Sequence, residues 1–371
     1  MLLFIMNRKQ IRDFGTSAKG VFLICLLAII PAVCLVAPRL PVARTVKLPV
    51  MEPVESPVAN PVVMTLQPGM TSVEIQQALD SLPASGGEVV LPAGSFEVCQ
   101  PIVLKRDHLT LRGSGIATIL RLDDGANCPV IIMGEPVNHP KETIQHLRVS
   151  DLSIDGNRTY QQRELWRNWG EGSQIRNNGI TVQNVSDSTV ENVICTRCRS
   201  GGLVTTRGVR RLVVKNLNAF DNEFDGLACY QTTNCLFTEL YLHDNPGAGI
   251  SLDLAFNDNV ISNAVLTAND LGIFMRASRD NQFHNISIRH SHHFGVFMAH
   301  AEKLTARGWQ PAPRTECTDN FFTNLIASNC GGAAFRINNS TCTNNVIIGA
   351  QFDENIRGGL SLAQPDLVTV Q

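Results

Sequence analysis

Tyr230, Asp253 and Arg276 are separated by 23 residues each, and each ends a short segment that alternates apolar and polar residues (GLACY, GISLD, GIFMR). If 23 residues make one turn of a repeating fold, these three side chains form one outward column with Asp253 in the middle. A phenol, a carboxylate and a guanidinium so placed suit proton transfer beside a carboxylate. Removing the C5 proton of a uronic acid needs a cation to neutralise that carboxylate, a base, and an acid that reprotonates the ring or the leaving oxygen. Arg276 fits the first role. Tyr230, His293 and His300 are candidates for the proton transfers, and Asp253 would orient Arg276 or Tyr230. Gln183 occupies the same slot further up the column, and Asp225 lies in the turn leading to Tyr230; both are candidate substrate-binding residues. The plainer alternative is an Asp–Arg ion pair on a solvated sheet.

The elements that must position these residues follow from a period. Gly179, Gly202, Gly226, Gly249, Gly272 and Gly295 lie 23, 24, 23, 23 and 23 residues apart, and each precedes the same strand pattern. Ala333 is expected to take the glycine's place in the following turn, and Gly359 to start a partial one. Counting from each glycine, positions one and three should point inward and positions two and four toward solvent. A glycine before each strand suggests a turn with positive φ. Asn192, Asn216, Asn263, Asn285 and Asn324, with Glu239 in the remaining slot, mark a second recurring turn where stacked amides can bond one another. Repeats of this length with short β-branched strands predict an all-β fold, a right-handed parallel β-helix (solenoid). Residues 71–82 predict a short amphipathic helix with Thr71 and Glu74 as a capping box, an N-terminal capping helix for the coil stack.

After that helix come GGEVVLPAG from Gly86 and LTLRGSG from Leu109. This order closely resembles the start of the pectin-lyase-like β-helix superfamily, over about residues 66–360. The resemblance implies the fold; the superfamily itself includes lyases, epimerases, hydrolases and binding proteins. The stretch AFDNEFDGLACY, ending at Tyr230, is also similar to repeats of mannuronan C5-epimerases, although the DPH motif of those enzymes is absent. Against polygalacturonase-like enzymes, Asp225 resembles the aspartate of the NTD motif and Arg276 the lysine of RIK. Gly247 and Ala248 stand where an aspartate pair is expected, and Leu271 where a histidine is expected.

Two segments interrupt the period, residues 158–176 and 301–315, and they carry all three tryptophans, Trp166, Trp169 and Trp309. On the coil register they flank the candidate column, where aromatic walls beside a polar floor would suit a sugar polymer. A lyase or C5-epimerase of a uronic-acid polysaccharide is the leading expectation. A polysaccharide hydrolase using Asp225 and Asp253, and a non-catalytic glycan-binding cell-surface protein, are the alternatives.

The net charge of −2 carries no basic surplus for nucleic-acid binding. Arg8, Lys9, Arg12 and Lys19 precede an apolar run from Val21 to Ala37, which reads as a signal or membrane anchor over residues 1–37. A proline-rich linker over 38–68 and a β-helix domain over 69–371 would follow. The expected location is outside the cytoplasm, membrane-anchored, or secreted or periplasmic if the signal is cleaved. Cys195 and Cys198 form a lone CxxC without a second ligand pair at zinc spacing, so buried thiols or disulfides are the expectation. No metal ligands are assigned; a calcium ion held by Asp221, Asp225 and Asp244 competes with simple solvation of an acidic turn.

Overall fold

A computed structural model describes residues 62–162, 176–301 and 314–371, which all fall in one compact unit. The apolar run, most of the proline-rich stretch and the three tryptophans lie outside the described residues. Among the described residues no helix is long and apolar enough to cross a membrane.

Every strand pairing is parallel between successive coils, giving a right-handed β-solenoid. Each coil adds one strand to a ten-stranded sheet running from Ile102–Leu104 to Leu360–Leu362, here called the site sheet. The other walls join through bent strands into a nineteen-stranded sheet, whose first strand, Val63–Thr65, pairs with Gly87–Val90. In the site sheet Ile180, Val182, Leu203, Leu227, Ile250, Leu252, Ile273 and Met275 are all fully buried. The alternation thus fills the core as expected, because successive side chains leave a strand on opposite faces. Helix α1 (Ser72–Ser81) closes the first coil with Ile75 and Leu79 in the core, and the Thr71 N–H donates to Glu74 Oε2 at 2.7 Å.

The repeating glycines have a different cause from the one expected. None of the six has a positive φ. A Cβ on Gly272 would lie 2.4 Å from the carbonyl oxygen of Gly295, and one on Gly202 would lie 2.7 Å from that of Gly226. Glycine is needed so that neighbouring backbones can approach. The left-handed conformation falls instead on the asparagine corner, with φ of 55° at Asn192, 51° at Asn216 and 57° at Glu239. Asparagine tolerates that region well, and the amides form the expected ladder: Asn216 donates to Asn192 at 3.0 Å and Asn324 to Asn285 at 3.0 Å.

A further asparagine ladder, buried, runs through Asn259, Asn281, Asn320 and Asn345. Asn281 Nδ2 donates to Phe256 O at 2.9 Å and to Asn320 Oδ1 at 3.0 Å, while its Oδ1 accepts from the Asn259 backbone N–H at 3.1 Å. Asn281→Ala strands several buried polar groups at once. It should cost roughly 2–4 kcal/mol, since each orphaned group carries its own desolvation penalty; urea denaturation at neutral pH reads this, and a cost below 1 kcal/mol would contradict it.

One register is shifted from expectation. Val296 pairs with Phe335, so Ala334 and not Ala333 takes the glycine's place. The shift puts Phe335 and Ile337 into the core and Arg336 on the outside. With Ala333 in that slot Arg336 would point inward, and an unpaired buried guanidinium is prohibitive. The cysteines from Cys99 to Cys342 are free thiols, and Cys195 and Cys198 are both fully buried.

Candidate functional site

The column is realised in three dimensions. Tyr230 pairs with Asp253 across strands Leu227–Tyr230 and Ala248–Asp253, and Arg276 pairs with Ala299 on the next coil. Arg276 donates through Nε to Asp253 Oδ2 at 2.9 Å and through a second nitrogen to the same oxygen. Its guanidinium also lies over the Phe274 ring, 5.1 Å from the centroid. The Leu254 N–H donates to Asp253 Oδ1 at 2.8 Å, so both carboxylate oxygens are engaged.

The expectation of an open face needs correcting. Asp253 is 2% exposed, and Gln183 and Thr206 are buried although they point outward. The reason at Asp253 is local: a short carboxylate one rung (~4.8 Å) from two long side chains, Tyr230 and Arg276, is roofed by them. Burial pushes its pKa above the usual carboxylate value, and the attraction of Arg276 opposes that shift. At Gln183, the side-chain amide donates to the carbonyls of Glu135 and Val137, tying it to the 134–143 loop.

Asp225 is the group with the most useful chemistry. It sits in the turn before Leu227–Tyr230, where Oδ1 accepts the Ala248 N–H at 2.7 Å. Part of its surface stays open, yet loss of water pushes its pKa up to about 6; the Ala248 bond and the positive charge of Arg176 limit the rise. Tyr230 is held fully protonated. Burial raises its pKa first, Asp225 and Asp253 raise it further, and Arg176 and Arg276 pull it back. One phenol is therefore within electrostatic reach of two carboxyl groups and two guanidinium groups. Arg176 does not stand out as a site residue in the sequence. Its only signal there is its position at the end of the first insertion, just upstream of strand Ile180–Gln183.

The histidines separate. His300 directly follows Ala299, the partner of Arg276, with its N–H on Asn339 Oδ1 at 3.1 Å and Nδ1 3.4 Å from Thr341 Oγ1. His293 stands at the upstream border of the sheet, mostly exposed, with Nδ1 2.6 Å from Asp270 Oδ1. It is on the far side of strand Val296–Ala299 from His300. The acidic turn does not converge on a cation. Asp221 accepts from Arg158 at 2.7 Å, Asp244 lies 2.6 Å from His243 Nδ1, and Asp225 holds the Ala248 N–H. Among the described residues no group of three His, Cys, Asp or Glu could hold a metal ion. Trp166, Trp169 and Trp309 are outside the described residues. The aromatic surface that is described on this sheet, Phe274 with Phe297, was not anticipated.

Comparison with known proteins agrees with the architecture. Residues 142–288 match a family model described as a right-handed beta helix region. The mannuronan C5-epimerase AlgE1 of Azotobacter vinelandii is 27% identical over 203 residues, 53% of this chain but only 14% of that relative's length. The A-module of the mannuronan C-5 epimerase AlgE4 from the same organism superposes with a TM-score of 0.52 at 16% identity, covering 81% of this chain and all of that one. An alginate lyase from Paenibacillus superposes with a TM-score of 0.57 at 11% identity, covering 83% of this chain and 99% of that one. With the stacked parallel coils and the helix-capped first turn, these matches identify the fold of this chain as a right-handed parallel β-helix, one it shares with those polysaccharide-modifying proteins.

Proposed function

We propose that this protein removes the C5 proton of a uronic-acid residue within a polysaccharide, leading to β-elimination or C5 epimerisation. The observation that carries the reading is the setting of Asp225: its Oδ1 is held by the Ala248 N–H, burial lifts its pKa to about 6, and it shares the charge of Arg176 with the protonated phenol of Tyr230, on which Arg276 also acts. As the carboxylate, Asp225 takes the C5 proton. Negative charge then builds on the substrate carboxylate and is neutralised by Arg176 or by Arg276, which Asp253 holds in place. Tyr230 donates its proton either to the departing O4 or to the opposite face of C5. A pKa near 6 suits this work, because a base must be free of its proton at working pH and still strong enough to take one. The likeness to mannuronan C5-epimerases and to an alginate lyase supports the same reading.

Incubation with alginate and polygalacturonate tests it. Elimination yields an ultraviolet-absorbing unsaturated end, and epimerisation changes the sugar stereochemistry without cleavage. Tyr230→Phe should lower turnover by roughly 10²–10⁴-fold, the usual contribution of one positioned proton donor. Activity should fall as pH drops below about 6, where Asp225 becomes protonated. A wild-type protein silent on every uronan, or a Tyr230→Phe variant with full activity, would refute the proposal. Hydrolysis by an Asp225–Asp253 pair is the weaker reading, because Asp253 is committed to Arg276; reducing ends without unsaturation would revive it. Binding of a uronan without any conversion would leave a glycan-binding surface protein. Export is part of the proposal, on the strength of the basic residues and apolar run before Ala37; cell fractionation tests it.

A further inference from the structure

Beyond Arg276 the outward side of the site sheet changes character. At position two, earlier coils carry Thr181, Val204, Ala228 and Ser251; the next two carry Phe274 and Phe297, followed by Arg336. The two rings lie nearly parallel, with centroids 5.9 Å apart and planes 8° apart, and Phe294 extends the stack with its centroid 5.4 Å from that of Phe297. All three rings keep part of their surface open. Arg336 donates to Ser361 Oγ and to Asn338 Oδ1. Among the described residues it has no carboxylate partner, unlike Arg276 with Asp253 or Arg211 with Asp187.

We infer that Phe297 and Arg336 form a separate subsite for a uronic-acid residue of the same polymer, beyond the residue that reacts. This rests on the functional reading above. The apolar face of a sugar ring packs on Phe297, and its carboxylate pairs with the guanidinium of Arg336. The lane from Phe274 through Phe297 to Arg336 runs along the solenoid axis beside the Tyr230–Asp253–Arg276 column, two residues away from it along each strand. Arg336 is two coils past Arg276, roughly 10 Å along that axis. An extended sugar chain lying on the sheet reaches it with a neighbouring residue. The subsite makes the protein select long anionic chains over short or neutral ones, and it fixes the direction in which the chain lies. Its residues act on binding and touch no reacting atom.

Electrophoresis through gels containing polygalacturonate, alginate or neutral xylan tests the inference, alongside turnover on short and long oligouronides. The wild type should be retarded in a uronan gel and not by xylan. Arg336→Gln keeps a polar group against Ser361 but removes the charge. It should bind long uronan about tenfold to a hundredfold more weakly, the usual worth of one charge-assisted hydrogen bond. KM for long chains should rise while kcat and turnover of the shortest substrate stay unchanged. Phe297→Ala should act in the same direction, and Arg336→Lys should restore part of the binding. If the wild type acts on uronans and both variants bind long chains as it does, the subsite is wrong and the functional reading stands. A variant that loses short and long substrates equally also overturns the subsite. A wild type that neither binds nor converts any uronan overturns both.

Discussion

Asp225→Asn should slow turnover by orders of magnitude and, at neutral pH, make the protein more stable. The carboxyl has a pKa of about 6 in the fold against an ordinary value of 3.8. Between those two pH values the folded protein holds a proton that the unfolded chain has released. Stability from this group is therefore fully present below about pH 4, and it is lost as pH rises through 6. At pH 7 the ionised carboxylate opposes folding by on the order of 1–3 kcal/mol, after allowing for its partial exposure. Asparagine carries no charge and still offers an oxygen to the Ala248 N–H. Thermal unfolding should show the variant above the wild type at pH 7, with the gap closing near pH 4. Turnover should fall by roughly 10²–10⁴-fold in the same preparation. A variant that is less stable than the wild type at pH 7 would mean that the Asp225 carboxylate is paired more strongly than Ala248 and Arg176 imply.

Arg276→Ala should produce the opposite pattern, with loss of stability and activity together. It leaves the Asp253 carboxylate, 2% exposed, with only the Leu254 N–H as a partner. Because the Arg276 side chain is 37% exposed and its loss opens part of the roof over Asp253, the cost should be about 1–3 kcal/mol, below that of breaking a fully buried pair. The Asp253 pKa, already raised by burial, then rises further for want of the cation. The defect should shrink as pH falls through that raised value, because the protonated form suits a dry site. The double variant Asp253→Asn/Arg276→Gln removes both charges and should recover most of the stability while remaining inactive. A single variant with unchanged denaturation midpoint would place Asp253 in contact with water. A double variant as unstable as the single one would show that packing against Phe274, rather than charge, is what Arg276 contributes.

The sequence by itself determined the coil. Near-regular spacing of the glycines, inward apolar residues at positions one and three, and asparagines at one corner each state a local geometric demand. Repeating the demand every coil leaves few folds that meet it. The same register put Tyr230, Asp253 and Arg276 in neighbouring slots, and the folded chain keeps them there. What glycine does in that register was not legible, since close backbone approach is a property of two coils and not of one. Only the tertiary structure decided the roofing of Asp253, the charge of Arg176 acting on Asp225 and Tyr230, and the parting of His293 from His300. It also decided the step from Ala333 to Ala334, which turned Arg336 outward beside Phe297. A period fixes which way a side chain points along its own strand. Burial, pKa and reach depend on what other coils and insertions place above it, and that arrangement has no period to read.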